Sequence, residues 1–443
     1  MQVLLQRPLV ETSADDLTLL FAGGAKRLED WKLGLELELF PVAHGSHEPA
    51  QYPALKATLE NLGVARGLDE ELDPDSGALI GLLGDGELVS IEPGGQLEYA
   101  TKPFRTLRAL RRAVTEFIGA MSHAANDQGL SLLALGYNPF ETLRSIPRMP
   151  KARYNTMRAY LPERGRRSLE MMHLTASVQC AVDFSDEENM THKVRTAARA
   201  SPFIAALTAS SPFTAGEPNG FRSTRYDIWL HTDDARCGLW PEMFDEEGLT
   251  FKRYVEHALR TPAMFFFRDQ QYRVAEPRPY IEYAKEGFEG STVTVRDFVD
   301  HLTTLFPEVR TKSYIELRGA DCAPPLEAVA IAGFWRGLLD DADALAAASE
   351  RLSTLTYEQV RELQPRIARE GLDARSPVGI AREVARDLVE IARNRFVRSA
   401  PDCAECLEPL VARAHAGRSL ADELLERAAS PSVIDALEIC RVT

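Results

Sequence analysis

The chain has no apolar run near the ~20 residues that a membrane-spanning helix needs. Cysteine is scarce, six in 443 residues. That is too few for a disulfide scaffold, and a reducing cytoplasm is the default compartment for such usage. Positive charge is in deficit: 51 Lys and Arg stand against 66 Asp and Glu, a net charge of −15. Long-range electrostatics therefore oppose generic binding to nucleic acid or an anionic membrane surface. The first residues, Gln2–Val3–Leu4–Leu5–Gln6–Arg7–Pro8, have no basic flank leading into a long apolar core, which argues against a signal peptide. The P-loop pattern GxxxxGKS/T is absent, and so are GxGxxG, GxSxG and HExxH. A nucleotide site here has to be built another way. Cys403–Ala404–Glu405–Cys406 is a CxxC with no second CxxC to complete it, and it is read as having no redox or metal role.

What is present is a globular composition, 45% hydrophobic and 26% charged, without internal repeats. Four segments alternate as strands do. In Lys32 to Phe40, Leu33, Leu35, Leu37 and Leu39 share one face while Gly34, Glu36 and Glu38 share the other. Leu88 to Tyr99 is interrupted by Pro93–Gly94–Gly95; His173 to Asp183 and Ser313 to Arg318 are the other two. Helical patterns cover Thr106 to Asn126, Ser185 to about Ala209 (with Ser185 and Glu188 at capping-box spacing) and Leu326 to about Leu352. The last ninety or so residues read as helices only, with starts at Thr356 and Ser419. Strands preceding a helical tail, without βαβ spacing, predict an α+β fold on a largely antiparallel sheet. One curved sheet with a polar concave face would collect the carboxylates and amides of all four strands.

Those polar faces carry the chemistry. Glu36 and Glu38 lie about 7 Å apart on one strand face, a repulsive arrangement unless cations lie between them. Glu92, Gln96 and Glu98 surround the Pro-Gly-Gly bend, which permits close backbone approach to a ligand. Glu316 and Arg318 set an acid beside a guanidinium that can grip a carboxylate or phosphate. Arg144 to Arg167, with Lys151 and Arg153 inside it, is a local basic patch suited to a polyphosphate. Arg225, with Trp229 four residues on, suits a substrate carboxylate beside a ring. Each feature alone also fits a solvated face, a local ion pair or core packing.

Together the stretches GLELELF, SIEPGGQLEYA, IPRMPKARYNTMRAYLP, MMHLTASVQCAVDF, SPFTAGEPNGFRSTRYDIW, HLTTLFPEVRTKSYIELRGAD and GFWRGLL resemble the plant-type glutamate–cysteine ligase family. They run in family order over most of residues 30–340. The resemblance implies an antiparallel sheet curled into a funnel, related to the glutamine synthetase catalytic sheet and flanked by helices. It implies a single catalytic domain over 1–443, with a sheet-containing core at 30–340 and a helical region at 341–443. The implied reaction is ATP-dependent joining of the glutamate γ-carboxylate to cysteine through γ-glutamyl phosphate, the first step of glutathione-type or ergothioneine thiol synthesis.

By the same resemblance, Glu36, Glu38, Glu92, Glu98, Glu316 and Gln179 are metal ligands for two or three Mg²⁺. Arg225 and Trp229 form the glutamate pocket. Lys151, Arg153 and Arg318 contact phosphate or ATP, and Arg318 and Glu38 are catalytic. The partners are then glutamate, cysteine and ATP, with no nucleic acid and no membrane, in a cytoplasmic monomer or homodimer. Departures from the plant pattern are Val329 and Ala181 in place of a cysteine and an asparagine, and a shorter segment before His301 without the plant cysteine pair. Disulfide switching is therefore not expected. The residues leave two other readings open: a different acceptor amine, and a non-catalytic glutamate- or ATP-binding relative.

Overall fold

Alternating leucines build the strand that organises the molecule. Leu33, Leu35, Leu37 and Leu39 are all buried, and the strand they define continues past Phe40 to Ala43. The computed structural model describes residues 2–429 and 432–442, so both ends of the expected 1–443 unit lie outside the described residues. Ten strands form one sheet: β1 (Leu33–Ala43), β2 (Asp69–Leu72), β3 (Leu79–Gly84), β4 (Glu87–Ile91), β5 (Leu97–Ala100), β6 (Leu130–Leu133), β7 (Ser177–Val182), β8 (Val309–Thr311), β9 (Ile315–Asp321) and β10 (Arg441–Val442). The main path runs β8-β9-β7-β1-β5-β4-β3-β2, while β6 pairs with the far end of β1 and with β10. Its pairings are antiparallel, as expected for this α+β class.

The helices are α1 (Leu107–Asn126), α2 (Ala152–Tyr160), α3 (Ser168–Leu174), α4 (Glu187–Leu207), α5 (Thr224–Trp229), α6 (Pro325–Leu339), α7 (Ala342–Arg351), α8 (Tyr357–Glu370) and α9 (Leu420–Ala428), with others between and after them. Helix α6 lies against β1 and β7, and α1 packs on α6. The apolar side chains of those strands join one large core with both helices. Among the described residues no helix is long and apolar enough to cross a membrane.

Several boundaries differ from the sequence expectation. The third strand begins at Ser177, because Ser168–Leu174 is helical. Those seven residues include no β-branched side chain, and Thr175 turns its hydroxyl back onto the Met171 carbonyl at 2.6 Å. The long helix expected from Leu326 breaks after Leu339, where Asp341 caps α7 through the Ala344 amide. The cap of α4 is Asp186, not Ser185: the Ser185 hydroxyl donates to Asp186, whose other oxygen accepts from the Asn189 amide. The helix starts expected at Thr356 and Ser419 are both present, and each is closed by a capping box, opening α8 and α9. The tail is not purely helical. A small hairpin joins Arg375–Ser376 to Gly379–Ile380, and β10 returns the chain to the sheet, burying Cys440 and Val442.

Candidate active site

Strand pairing sets the predicted carboxylates in rows. Glu36 stands opposite Gln179 on one side and Ala100 on the other; Glu38 stands opposite Glu98, and Glu98 opposite Ser90. Gly34, Ala181 and Glu316 form the next row. Because alternate residues share a face, Glu36, Glu38, Glu98, Gln179 and Glu316 all come to one side of the sheet. This is the polar face that the alternation foretold.

Burial then decides the electrostatics. Desolvation, followed by repulsion from Glu316, pushes the Glu36 carboxyl up. Desolvation, followed by repulsion from Glu92, does the same to Glu38, although the Ser177 amide and hydroxyl donate to it at 2.5 and 2.9 Å. Glu98 is pushed well above the ordinary range, by burial and then by Glu36, Glu92 and Glu38. Glu92 accepts from the Ser90 hydroxyl at 2.9 Å and from the Tyr154 hydroxyl at 3.0 Å. Glu316 behaves differently. Burial would raise it, but Arg310 (2.5 Å), Lys312 and Arg318 (3.3 Å) surround it and hold it below the ordinary glutamate range. Among the described residues no three His, Cys, Asp or Glu side chains converge into a ready-made shell for one ion. The carboxylates are distributed along the face instead.

A register shift between Leu317 and Ala320 bulges β9 where Arg318 and Gly319 stand. Bulges of this kind re-aim side chains and free backbone groups. Here the freed carbonyls of Arg318 and Gly319 accept from the Arg225 guanidinium at 2.8 and 3.3 Å. Arg225 is 3% exposed, and its Nε has no partner among the described residues. Its guanidinium lies 5.7 Å from the Trp229 ring centroid, and that of Arg318 lies 6.0 Å from the same ring. Arg318 also donates to the Gln179 side-chain oxygen. Asp321, which accepts from Ser211 and Ser223 at 2.6 and 2.7 Å, supplies negative charge close to Arg225.

Two cavities open on this face. The smaller, about 130 Å³, is bounded by Glu38, Glu92, Gln179, Arg225, Trp229 and Arg318, together with methionines. The larger, about 470 Å³, has Gly34, Ala100 and Ala181 as its floor, with Glu36 and Glu316 also lining it. Lys26, Lys32 and Arg105 line its walls. Gln179 belongs to both cavities.

Not every predicted residue arrives. Lys151 lies over the Tyr154 ring and lines neither cavity, although its charge acts on Glu98. Arg153 turns to the Thr303 hydroxyl at 2.8 Å and the Phe265 ring. Elsewhere in the basic segment, Arg167 pairs with Glu170 and Asp227. The Pro-Gly-Gly bend makes its close approach to protein. A Cβ on Gly94 would stand 2.0 Å from the His173 carbonyl oxygen, and the Gln96 amide donates to the Thr175 carbonyl at 2.7 Å. Sequence reasoning did not single out Lys26, Lys32, Arg105, Arg310 or Lys312. For the last two a signal existed: they sit at alternate positions, two apart, as Glu316 and Arg318 do.

All six cysteines are buried free thiols, Cys403 and Cys406 among them. Dithiothreitol is therefore expected to change the rate by less than about twofold at fixed cysteine. A larger change in a reductant titration would require a disulfide, and Cys403 with Cys406 would be the first pair to replace.

Comparison with known proteins supplies the frame. Residues 32–438 match the profile of glutamate-cysteine ligase family 2 (GCS2). The chain is 34% identical over 415 residues to the chloroplastic glutamate–cysteine ligase of Nicotiana tabacum, covering 93% of this chain and 79% of that one. The Arabidopsis thaliana counterpart gives the same figures. Among solved structures, glutamate–cysteine ligase from Francisella tularensis in complex with AMP superposes with a TM-score of 0.57. It shares 12% identity, covering 94% of this chain and 88% of that one, and the likeness concerns the fold. A polar sheet face with carboxylates, guanidiniums and two cavities that share Gln179 thus accompanies a family match over nearly the whole chain, which belongs to glutamate-cysteine ligase family 2 and is an ATP-dependent ligase forming γ-glutamylcysteine.

Proposed function

We propose that the two cavities are the two halves of one ligation site, with glutamate in the smaller and ATP in the larger. The observation that carries this is their junction at Gln179, which stands beside Glu36 and is held by Arg318. In the smaller cavity Arg225 clamps the glutamate α-carboxylate. Two backbone carbonyls fix its guanidinium, leaving Nε and further N–H groups to donate, while Trp229 lies against it. The larger cavity falls within the usual size of small-molecule sites. Its floor of small residues leaves room for a nucleotide, and Lys32 supplies positive charge for phosphates, joined by Lys26 and Arg105 where a phosphate takes them from their partners Asp183 and Asp30. The ATP contacts thus move from Lys151 and Arg153 to these three, with Arg318 retained at the junction.

Glu36, Glu38, Glu92, Glu98, Glu316 and Gln179 are proposed to hold Mg²⁺. The fit test is the raised carboxyls: burying Glu36, Glu38 and Glu98 side by side is costly, and divalent cations remove that cost. Glu316 is kept ionised by Arg310, Lys312 and Arg318, which occupy its oxygens, so an ion there would take the place of one of them. Distributed oxygens suit two or three ions that retain waters and phosphate oxygens. Bound Mg²⁺ supplies neutralisation of the charge on the transferring phosphoryl group.

Arg225 directs the glutamate γ-carboxylate toward the junction. An oxygen of that carboxylate attacks the ATP γ-phosphorus, and the bond to the ADP oxygen breaks, giving γ-glutamyl phosphate. Arg318 meets the phosphoryl oxygens there. The cysteine amine then adds to the acyl carbon, phosphate leaves with the bonding pair, and the nitrogen gives its extra proton to solvent.

The chain is proposed to act as one catalytic unit, supported by the return of β10 to the sheet, and in the cytoplasm, in keeping with its buried free thiols. The direct test measures ADP release with glutamate and a panel of amines, followed by the mass of the product. Cysteine is expected to be fastest and to give γ-glutamylcysteine; another preferred amine would replace the acceptor assignment. For the nucleotide half, Ala181→Leu should fill the cavity floor. It is expected to raise the KM for ATP about fivefold while leaving the glutamate KM within about twofold. The reverse pattern would exchange the two cavities.

A further inference from the structure

Beside Arg225, the smaller cavity has an unusual apolar wall, against which Trp229 packs. Three of the nine methionines of the chain, Met157, Met171 and Met172, line it together. Met157 comes from α2, and the other two come from consecutive positions of α3. All three are buried, at 8%, 8% and 4% exposure. The polar groups nearest this wall are already engaged. Tyr154 gives its hydroxyl hydrogen to Glu92, and Thr175 gives its own to the Met171 carbonyl. The Gln96 side chain is spent on Thr175 and Gly94. Ser177 donates to Glu38.

The geometry points to Met157, Met171 and Met172 as the residues that select the side chain of the acceptor amino acid. The class they fit is a short, unbranched, polarisable group that demands no hydrogen bond, as CH₂SH is. Thioethers attract a thiol by dispersion and give way to it because they are unbranched. A hydroxyl entering the same space would lose its water and find its potential partners occupied. The carboxylates and guanidiniums that line the same cavity remain for the glutamyl half and the phosphoryl group. The inference rests on the assignment of the smaller cavity made above.

The test compares kcat/KM for cysteine, serine and 2-aminobutyrate, the last replacing SH by CH₃. Wild type is expected to prefer cysteine to serine by on the order of 10² and to accept 2-aminobutyrate within about tenfold of cysteine. Met157→Gln and Met172→Gln add a hydrogen-bonding amide at nearly constant length. Each is expected to narrow the cysteine-to-serine ratio about fivefold while the KM values for glutamate and ATP stay within about twofold. Met172→Leu, which stays apolar but loses the unbranched thioether, should narrow the ratio less than either glutamine variant.

An unchanged ratio in both glutamine variants, or an equal loss with all three acceptors, overturns the inference. Should the glutamine variants not fold, Met172→Ala carries the test. The space it opens is expected to raise the use of homocysteine relative to cysteine about fivefold, and no rise overturns the inference. Wild-type enzyme that forms no γ-glutamyl product from cysteine would instead refute the function proposed above, a result distinct from any of these.

Discussion

Glu38→Gln is expected to lower turnover by on the order of 10² or more while the protein stays folded. The amide keeps the length of the side chain, and its oxygen can still accept from the Ser177 amide and hydroxyl. What disappears is a negative charge. In the folded protein that charge is costly: burial, then Glu92, push the Glu38 carboxyl up from the ordinary glutamate range. Without metal, the variant should therefore be at least as resistant to thermal unfolding as wild type. In turnover the charge is expected to be needed, because the proposed site brings an anionic carboxylate to an anionic phosphate beside it. The Mg²⁺ concentration for half-maximal rate should rise accordingly. Thermal unfolding in EDTA and a Mg²⁺ titration of the rate check both halves. Full activity with an unchanged Mg²⁺ dependence would remove Glu38 from the metal set.

Arg225→Lys should raise the KM for glutamate tenfold or more, about 1.4 kcal/mol, and leave the KM for ATP within about threefold. Lysine keeps the charge but loses the planar fork that a carboxylate meets with two parallel bonds. It also cannot reproduce the guanidinium's bonds to both the Arg318 and the Gly319 carbonyls. A purely structural role predicts the opposite outcome: lower thermal stability with an unchanged glutamate KM in the folded fraction. The neighbouring acid Asp227 does not provide that structural role, since Arg167 holds it at 2.5 Å. The balancing charge at Arg225 comes from Asp321. An ATP defect larger than the glutamate defect would move Arg225 to the nucleotide side.

The sequence by itself determined the parts of this protein that depend on neighbours along the chain. Leucine alternation set β1 and its two faces, so Glu36 and Glu38 were known to point together. The same rule put Glu316 and Arg318 on one face, and the capping boxes at Thr356 and Ser419 marked two helix starts. These features are legible because side-chain direction repeats every two residues in a strand, and because a cap is closed within four residues. Where local patterns competed, the sequence misled. His173 and Thr175 mimicked strand alternation, but the segment holding His173 belongs to a helix, and the run from Leu326 hid a break that Asp341 caps.

Only the tertiary structure decided which cations serve which acids. Lys26 meets Asp183 across 157 positions of chain, and Arg318 meets Gln179 across 139. Nothing local encodes such pairs. They follow from strand register and from how loops settle on the sheet, both fixed by packing of the core. The same holds for the basic segment around Arg153, whose charges look free in sequence but are taken up by Thr303, Glu170 and Asp227. The wall of Met157, Met171 and Met172 arises from one helix and from another whose methionines come 14 and 15 positions later. A methionine advertises burial, and only the placement of α2 and α3 over one cavity turns that burial into a surface facing a substrate.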